Sequence, residues 1–184
     1  MNNLIRKSIY ASICIGFGVI VLLSAPAPIG TFLFSFGLLS VCHLNGNLFT
    51  GKAGYYWKDN LKELVIILII NLLFGYLIGF LFSIVDNNLI QIANNKIITW
   101  DFSLSYFLKS VFCGMIMHIC VDLYKKKKCI FGILYGVPLF IFCGFQHCIA
   151  NIILLGIARR FSFTILLCII GNLIGGIKSS ILTE

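Results

Sequence analysis

Six long apolar runs, separated by short polar or basic segments, leave this chain few ways to fold. They cover residues 8–25, 29–49, 64–85, 104–124, 129–158 and 161–182. Each is near or beyond the roughly 20 residues that a helix needs to cross a bilayer core. Backbone buried in lipid has no water to pair with, so open strands are excluded and every run reads as helix. Composition agrees: 60% of the 184 residues are hydrophobic and 11% are charged. A soluble domain averages roughly 45–50% apolar and about 25% charged residues. Too few polar residues remain here to cover a water-exposed surface. A soluble enzyme, a disordered chain and a disulfide-stapled secreted domain are thereby excluded. An all-α membrane protein remains, with almost nothing outside the lipid.

The first run follows Arg6 and Lys7 and competes with a secretory signal peptide. No polar mature domain follows it, however, and the apolar runs continue to the end. Ala25-Pro26-Ala27-Pro28 predicts a tight connection, because the residue before proline avoids helix. Six spans put both termini on one side. With the N-terminus inside, Arg6, Lys7, Lys52, Lys58, Lys62, Lys125, Lys126, Lys127, Lys128 and Lys178 are cytoplasmic. Lys96, Arg159 and Arg160 are then outside, and Lys109 lies within the fourth span. The basic excess favours cytoplasmic termini. On a soluble protein a net charge of +8 would suggest nucleic acid. Here the basic residues flank apolar runs, so they set topology and no nucleic-acid partner is expected. The lysine run 125–128 reads as a stop signal, with binding of anionic lipid or a partner as the alternative.

Two runs are interrupted by polar residues at membrane depth. The second ends in Gly46-Asn47-Leu48-Phe49-Thr50-Gly51-Lys52, and the fifth contains Gly144-Phe145-Gln146-His147-Cys148-Ile149-Ala150-Asn151. Glycine beside polar groups reads as a helix that breaks, and intramembrane polar groups are functional candidates. Residues 1–101 and 102–184 form two three-helix units of one transmembrane domain, each with its second member broken. An odd number of spans per unit makes them inverted. Asn71 follows Thr50 by 21 residues, as Asn172 follows Asn151. Broken helices in corresponding positions of two halves point to a transport site.

Three segments carry a resemblance to the formate/nitrite transporter family. Leu48-Phe49-Thr50-Gly51 resembles its Glu-Leu-Phe-Thr-Gly loop. The stretch from Gly144 to Asn151 resembles its Gly-Phe-Glu-His-Ser-Val-Ala-Asn segment, and Gly171-Asn172-Leu173-Ile174-Gly175-Gly176 its Gly-Asn-x-x-Gly-Gly. The resemblance implies an aquaporin-like protomer assembled as a homopentamer, with one pore per protomer, in a lipid bilayer of the bacterial inner-membrane type. The implied substrates are small monovalent anions of weak acids: formate first, then nitrite or hydrosulfide, and lactate or acetate in some members. It makes His147 the central pore residue and Thr50 the threonine facing it. Phe34, Leu38 and Phe140 become the apolar residues that narrow the pore, joined by Leu48 and Phe49, with Asn151 and Asn172 beside the histidine.

The chain departs from the family at several positions. Two family glutamates are Asn47 and Gln146, the family asparagine after Cys113 is Gly114, and a basic residue falls near Ile98, with Lys96 its nearest substitute. Losing acids and basic partner together keeps buried charge neutral. Only seven residues are expected before the first helix, too few for the family's amphipathic N-terminal segment. A cytoplasmic rim of Lys52, Lys58, Lys125, Lys126, Lys127 and Lys128 would raise the local anion concentration. His147 would then offer the anion a hydrogen bond or lend it a proton between two apolar constrictions.

Other features carry less. The eight cysteines are scattered through apolar runs and read as small hydrophobes. Cys42-His43 and His147-Cys148 could suggest a metal, but adjacent helical residues diverge by about 100°, so each pair offers one ligand to a given point. Neither metal nor cofactor is expected. His118 and Asp122 lie at i and i+4 and can touch, forming an internal network with Lys109 or reaching the interface. Trp57, Trp100 and Tyr124 read as interface anchors. No nucleophile–base pair suggests an enzyme. A neutral-solute pore and a non-transporting sensor or scaffold on the same fold are the competing functions.

Overall fold

Apolar runs become single helices except where glycine accompanies a cluster of polar residues, and there they become pairs of half-helices. The computed structural model describes residues 1–183, and among these it contains nine α-helices. Four are long and apolar enough to cross a membrane: α1 (Asn2–Ser24), α4 (Leu61–Val85), α6 (Leu104–Lys127) and α9 (Thr164–Thr183). The second run divides into α2 (Ile29–His43) and α3 (Phe49–Tyr56), and the fifth into α7 (Phe131–Phe142) and α8 (Cys148–Ile157). The remaining helix, α5 (Asn88–Ile97), lies in the polar stretch between α4 and α6.

Several boundaries differ from the hydropathy. Helix α1 starts at Asn2 and takes Arg6 and Lys7 into its first turns, because long basic side chains are good helix formers. For the same reason α6 does not stop at Tyr124 but runs through Lys125, Lys126 and Lys127. Positive charge is also favourable against the negative end of the helix dipole. It terminates at Lys128, whose φ of 52° leaves the right-handed helix. Helix α4 begins three residues early, at Leu61, and α9 three late, at Thr164. Helix α5 was not expected. It buries Leu89, Ala93 and Ile97, one face at a four-residue spacing too short to register as an apolar run. The proline-rich link is as tight as expected: α1 ends at Ser24 and α2 starts at Ile29, with a cis Ala27–Pro28 bond between.

Helix α6 packs along α9, α4 along α8, and α1 against both α2 and α4. Helix–helix contact in lipid has little hydrophobic drive, so it depends on close backbone approach. Gly175 of α9 illustrates this: a Cβ there would collide with the Val111 carbonyl of α6 and lie 2.9 Å from the Met115 amide. Ile15, Leu38, Ile67, Ile133, Ile149, Ile153 and Leu155 fill the interior. The outward faces expose Phe36, Ile69, Leu73 and Leu139, each more than half accessible. An apolar surface of this kind needs lipid or another protein surface against it. The Lys126 ammonium reaches the Thr183 carbonyl at 3.5 Å, so the end of α9 and the C-terminal end of α6 lie at the same level.

Gly175→Ala forces α6 and α9 apart at backbone atoms rather than at a flexible side chain. We expect a loss on the order of 1–3 kcal/mol, measured as a lower unfolding temperature of the detergent-solubilised protein. An unchanged temperature would show that the helices have slack at this contact.

Candidate functional site

The two helix breaks are built alike. Just past α2, Asn45 lies in the left-handed region at φ 52°, and just past α7, Gly144 does so at φ 66°. In each, the next amide folds back onto the helix: Gly46 N–H donates to the Val41 carbonyl at 2.8 Å, and Phe145 N–H to the Phe140 carbonyl at 2.9 Å. This is the helix-terminating pattern that a left-handed residue allows. The next residue then reaches a neighbouring long helix. Asn47 N–H donates to the Lys7 carbonyl of α1 at 3.0 Å, and Gln146 N–H to the Lys109 carbonyl of α6 at 3.3 Å.

A buried asparagine completes each break. The Asn71 Oδ1 accepts from the Phe49 amide at 2.9 Å, and the Asn172 Oδ1 accepts from the Cys148 amide at 2.8 Å. Phe49 and Cys148 are the first residues of α3 and α8, whose leading amides have no partner within their own helix. The amide nitrogens are also used. Asn71 Nδ2 donates to the carbonyls of Ser8 (2.9 Å) and Asn47 (3.2 Å); Asn172 Nδ2 donates to those of Ser110 (2.7 Å) and Gln146 (2.8 Å). Both asparagines are fully buried. The matching positions are therefore Phe49 with Cys148, not Thr50 with Asn151. The equal spacing of 21 residues does not coincide with the register these bonds use, because the second connection is longer by two residues.

Thr50 and His147 meet where the two breaks converge. The His147 Nε2 lies 3.0 Å from the Thr50 Oγ1, both side chains being buried. His147 is also the N-cap of α8, and its Nδ1 accepts from the Ala150 amide at 3.0 Å. A backbone amide can only donate, so Nδ1 carries no proton. The neutral ring then holds its proton on Nε2 and donates it to Thr50. Charging the imidazole would set an N–H against the Ala150 N–H and break the cap. The N-terminal ends of α3 and α8, one bearing Thr50 and the other His147, thus face each other, and both carry the positive end of a helix dipole.

Cavities lie on either side of this contact. One encloses about 310 Å³ and is lined by His147, Phe34, Phe140, Gln146, Asn151 and Lys96, among others. The other encloses about 140 Å³ and is lined by Leu38, Leu48, Gly51, Lys52, Lys125 and Lys128, among others. Phe34 packs edge-on against Phe140 at 5.9 Å, and Phe140 stacks on His147 at 5.9 Å. Phe49 and Thr50 border neither cavity and are buried between them. Of the expected basic rim, Lys52, Lys125 and Lys128 border the smaller cavity. Lys126 instead pairs with Asp122 at 3.0 Å, and the Lys58 ammonium lies over Trp57. Lys127 borders neither cavity.

Asn151 borders the larger cavity through a neutral network. Its Nδ2 donates to the Gln146 Oε1 at 2.9 Å and to the Tyr106 hydroxyl at 3.0 Å. The signal of Tyr106 in the sequence is only its place on the inward stripe of α6 with Ser110, Cys113 and Met117. Gly114 explains why an asparagine is absent there: a Cβ would lie 2.8 Å from the Asn172 Cα. Lys96 projects from α5 into the same cavity, while Ile98 is exposed. Lys109 stays outside the expected network with His118 and Asp122. Asp122 takes Tyr55 (2.8 Å) and Lys126 as partners, and Tyr55 packs on His118. Lys109, over two helical turns away, is exposed.

Comparisons with known proteins bear on the family and the fold. A family model described as formate/nitrite transporter matches residues 1–183. A structure described as an FNT family ion channel is similar with a TM-score of 0.81 at 16% identity, covering 98% of this chain and 86% of that one. One described as a pentameric formate channel with formate bound is similar with a TM-score of 0.67 at 19% identity, covering 98% and 91%. No curated protein sequence matches significantly.

Asn172→Ala removes the acceptor for the Cys148 amide and two donated bonds at once. An unpaired buried amide costs about 1–3 kcal/mol, so thermal unfolding should occur at a clearly lower temperature. Asn71→Ala should act in the same direction. A neutral effect at both positions would mean that the half-helix starts are paired some other way.

Proposed function

The chain belongs to the formate/nitrite transporter family, and from that premise we propose that it is a membrane channel for small weak-acid anions, formate foremost, with nitrite and hydrosulfide as further substrates. The supporting observation is the Thr50–His147 contact between two cavities, walled by Leu38 and Leu48 on one side and by Phe34 and Phe140 on the other. The repeated hydrogen-bond set at the two breaks supports two inverted three-helix repeats: α1, α2 with α3, and α4 form one; α6, α7 with α8, and α9 the other. This arrangement makes six spans. The basic cavity then faces the cytoplasm together with both termini, in keeping with the lysine excess at that end. The exposed apolar faces suit a homopentamer in a lipid bilayer of the bacterial inner-membrane type, and the structure described as a pentameric formate channel supports that assembly.

An anion in the bilayer centre loses hydration worth several kcal/mol even after relaxation. Three features of this chain offset the loss. Lys52, Lys125 and Lys128 concentrate anions at the mouth. The facing N-termini of α3 and α8 present positive dipole ends along the path. The Nε2–H of His147 is already aimed at an oxygen, so a substrate oxygen exchanges for Thr50 without new desolvation of the ring. The Ala150 amide on Nδ1 favours this donor role over proton lending, since a proton given up at Nε2 would have to be replaced at Nδ1. The apolar side chains of Phe34, Leu38, Leu48, Phe49 and Phe140 exclude larger or strongly hydrated ions. Asn151, held by Gln146 and Tyr106, and Asn172, which caps α8, position the histidine loop.

His147→Phe keeps a ring of similar size and removes both nitrogens. We expect formate-driven swelling of proteoliposomes to fall at least tenfold while the oligomer elutes unchanged in gel filtration. Full transport by this variant would overturn the role given to His147, and glycerol uptake exceeding formate uptake by the unmodified protein would favour a neutral-solute pore.

A further inference from the structure

The smaller cavity holds more positive charge than a monovalent substrate can match. Lys52, Lys125 and Lys128 all border it, joined by His43 and Asn45. Each ammonium is steadied by an aromatic face: Lys125 lies 3.6 Å from the Tyr55 ring centre, Lys52 4.8 Å from Tyr56 and Lys128 5.4 Å from Tyr124. Such contacts fix cations without neutralising them. Asp122 is the acidic side chain on this part of α6, and it is held by the Tyr55 hydroxyl and Lys126, which do not border the cavity. The backbone contributes as well. Asn45 and Lys128 both adopt left-handed conformations, at φ 52° each. That conformation is disfavoured for a lysine, and residues held so often serve a function. The apolar Leu38 and Leu48 also line the cavity, and past such apolar walls a doubly charged ion would meet a far larger desolvation cost than a single charge.

We propose that this mouth is a binding site for a phosphate-type dianion, which seats among Lys52, Lys125 and Lys128 and throttles the channel from that side. The site rests on the proposed anion-channel reading for its consequence, but not for its existence. Binding follows from charge matching: three ammonium groups around one small volume repel one another, and a divalent oxyanion relieves that repulsion where formate relieves half as much. Its tetrahedral oxygens can also accept from several donors at once. Phosphate bound there lies across the entrance without passing the apolar wall. Cytoplasmic phosphate would then set how much weak acid leaves or enters. The same chemistry can come from inorganic phosphate in solution or from the headgroup of a phosphomonoester lipid.

The test uses the full chain. Isothermal titration of inorganic phosphate into the detergent-solubilised protein should give saturable binding. The triple variant Lys52→Gln, Lys125→Gln, Lys128→Gln should lose it at least tenfold, whereas Lys126→Gln should retain it. In zwitterionic liposomes, replacing chloride by phosphate at equal ionic strength should slow formate flux several-fold for the unmodified protein. The ratio of the two fluxes should return to one for the triple variant, whatever its flux in chloride. Inhibition that appears with phosphatidic acid and no added phosphate would assign the site to a lipid headgroup instead of the free ion. Absence of phosphate heat from folded, monodisperse protein overturns the proposal, as does equal binding by the triple variant. Phosphate binding without any formate flux leaves the site standing and removes the channel reading, so the two failures are distinguishable.

Discussion

Every backbone amide at mid-membrane must find a partner inside the protein, and this requirement organises the molecule. Opening a helix halfway across the bilayer exposes leading N–H groups where no water can reach them. The chain meets the cost with one buried asparagine per break. Asn71 and Asn172 each accept from the first amide of a half-helix and donate to carbonyls of the loop and of a long helix. The same side chains thus hold the breaks open, tie them to α1 and α6, and fix where Thr50 and His147 meet.

Charge is kept away from that centre. The two breaks carry the neutral amides Asn47 and Gln146. Gln146 joins a neutral network with Asn151 and Tyr106, and the Asn47 Nδ2 donates to the Leu4 carbonyl at 3.4 Å. A buried carboxylate needs a partner of opposite sign or becomes strongly unfavourable. Amides avoid that obligation, and they leave the polarity beside Thr50 to backbone dipoles and the imidazole. His147 fits the same economy: with Nδ1 occupied by the Ala150 amide, it contributes a directed N–H rather than a charge.

The two cavities are unequal. One cavity is small and ringed by lysines over tyrosine faces, the other is larger, with Lys96, Gln146 and Asn151 among apolar side chains. The lysine-rich end owes its form to a helix that continues past its apolar segment. Had α6 stopped at Tyr124, Lys125 would not project along the helix face onto Tyr55.

Much of this was legible in the residues themselves. Hydropathy alone dictates a helical membrane protein, because lipid admits no other open structure, and glycine with polar neighbours marks where helices must break. The sequence determined that His147 and Thr50 would lie in those breaks. It did not determine their partners, because a hydrogen bond between residues 97 apart depends on how two helices pack. Helix α5 was hidden by its short apolar face, and Tyr106 by its place in an apolar run where a hydroxyl raises no signal until Asn151 is seen against it. The register of the two breaks escapes the sequence for a similar reason: spacing along the chain counts loop residues, while the asparagine bonds depend on positions in space. Which lysines face the mouth was likewise a tertiary decision, since consecutive helical residues fan around the axis and only the packing of α2, α3 and α6 selects among them.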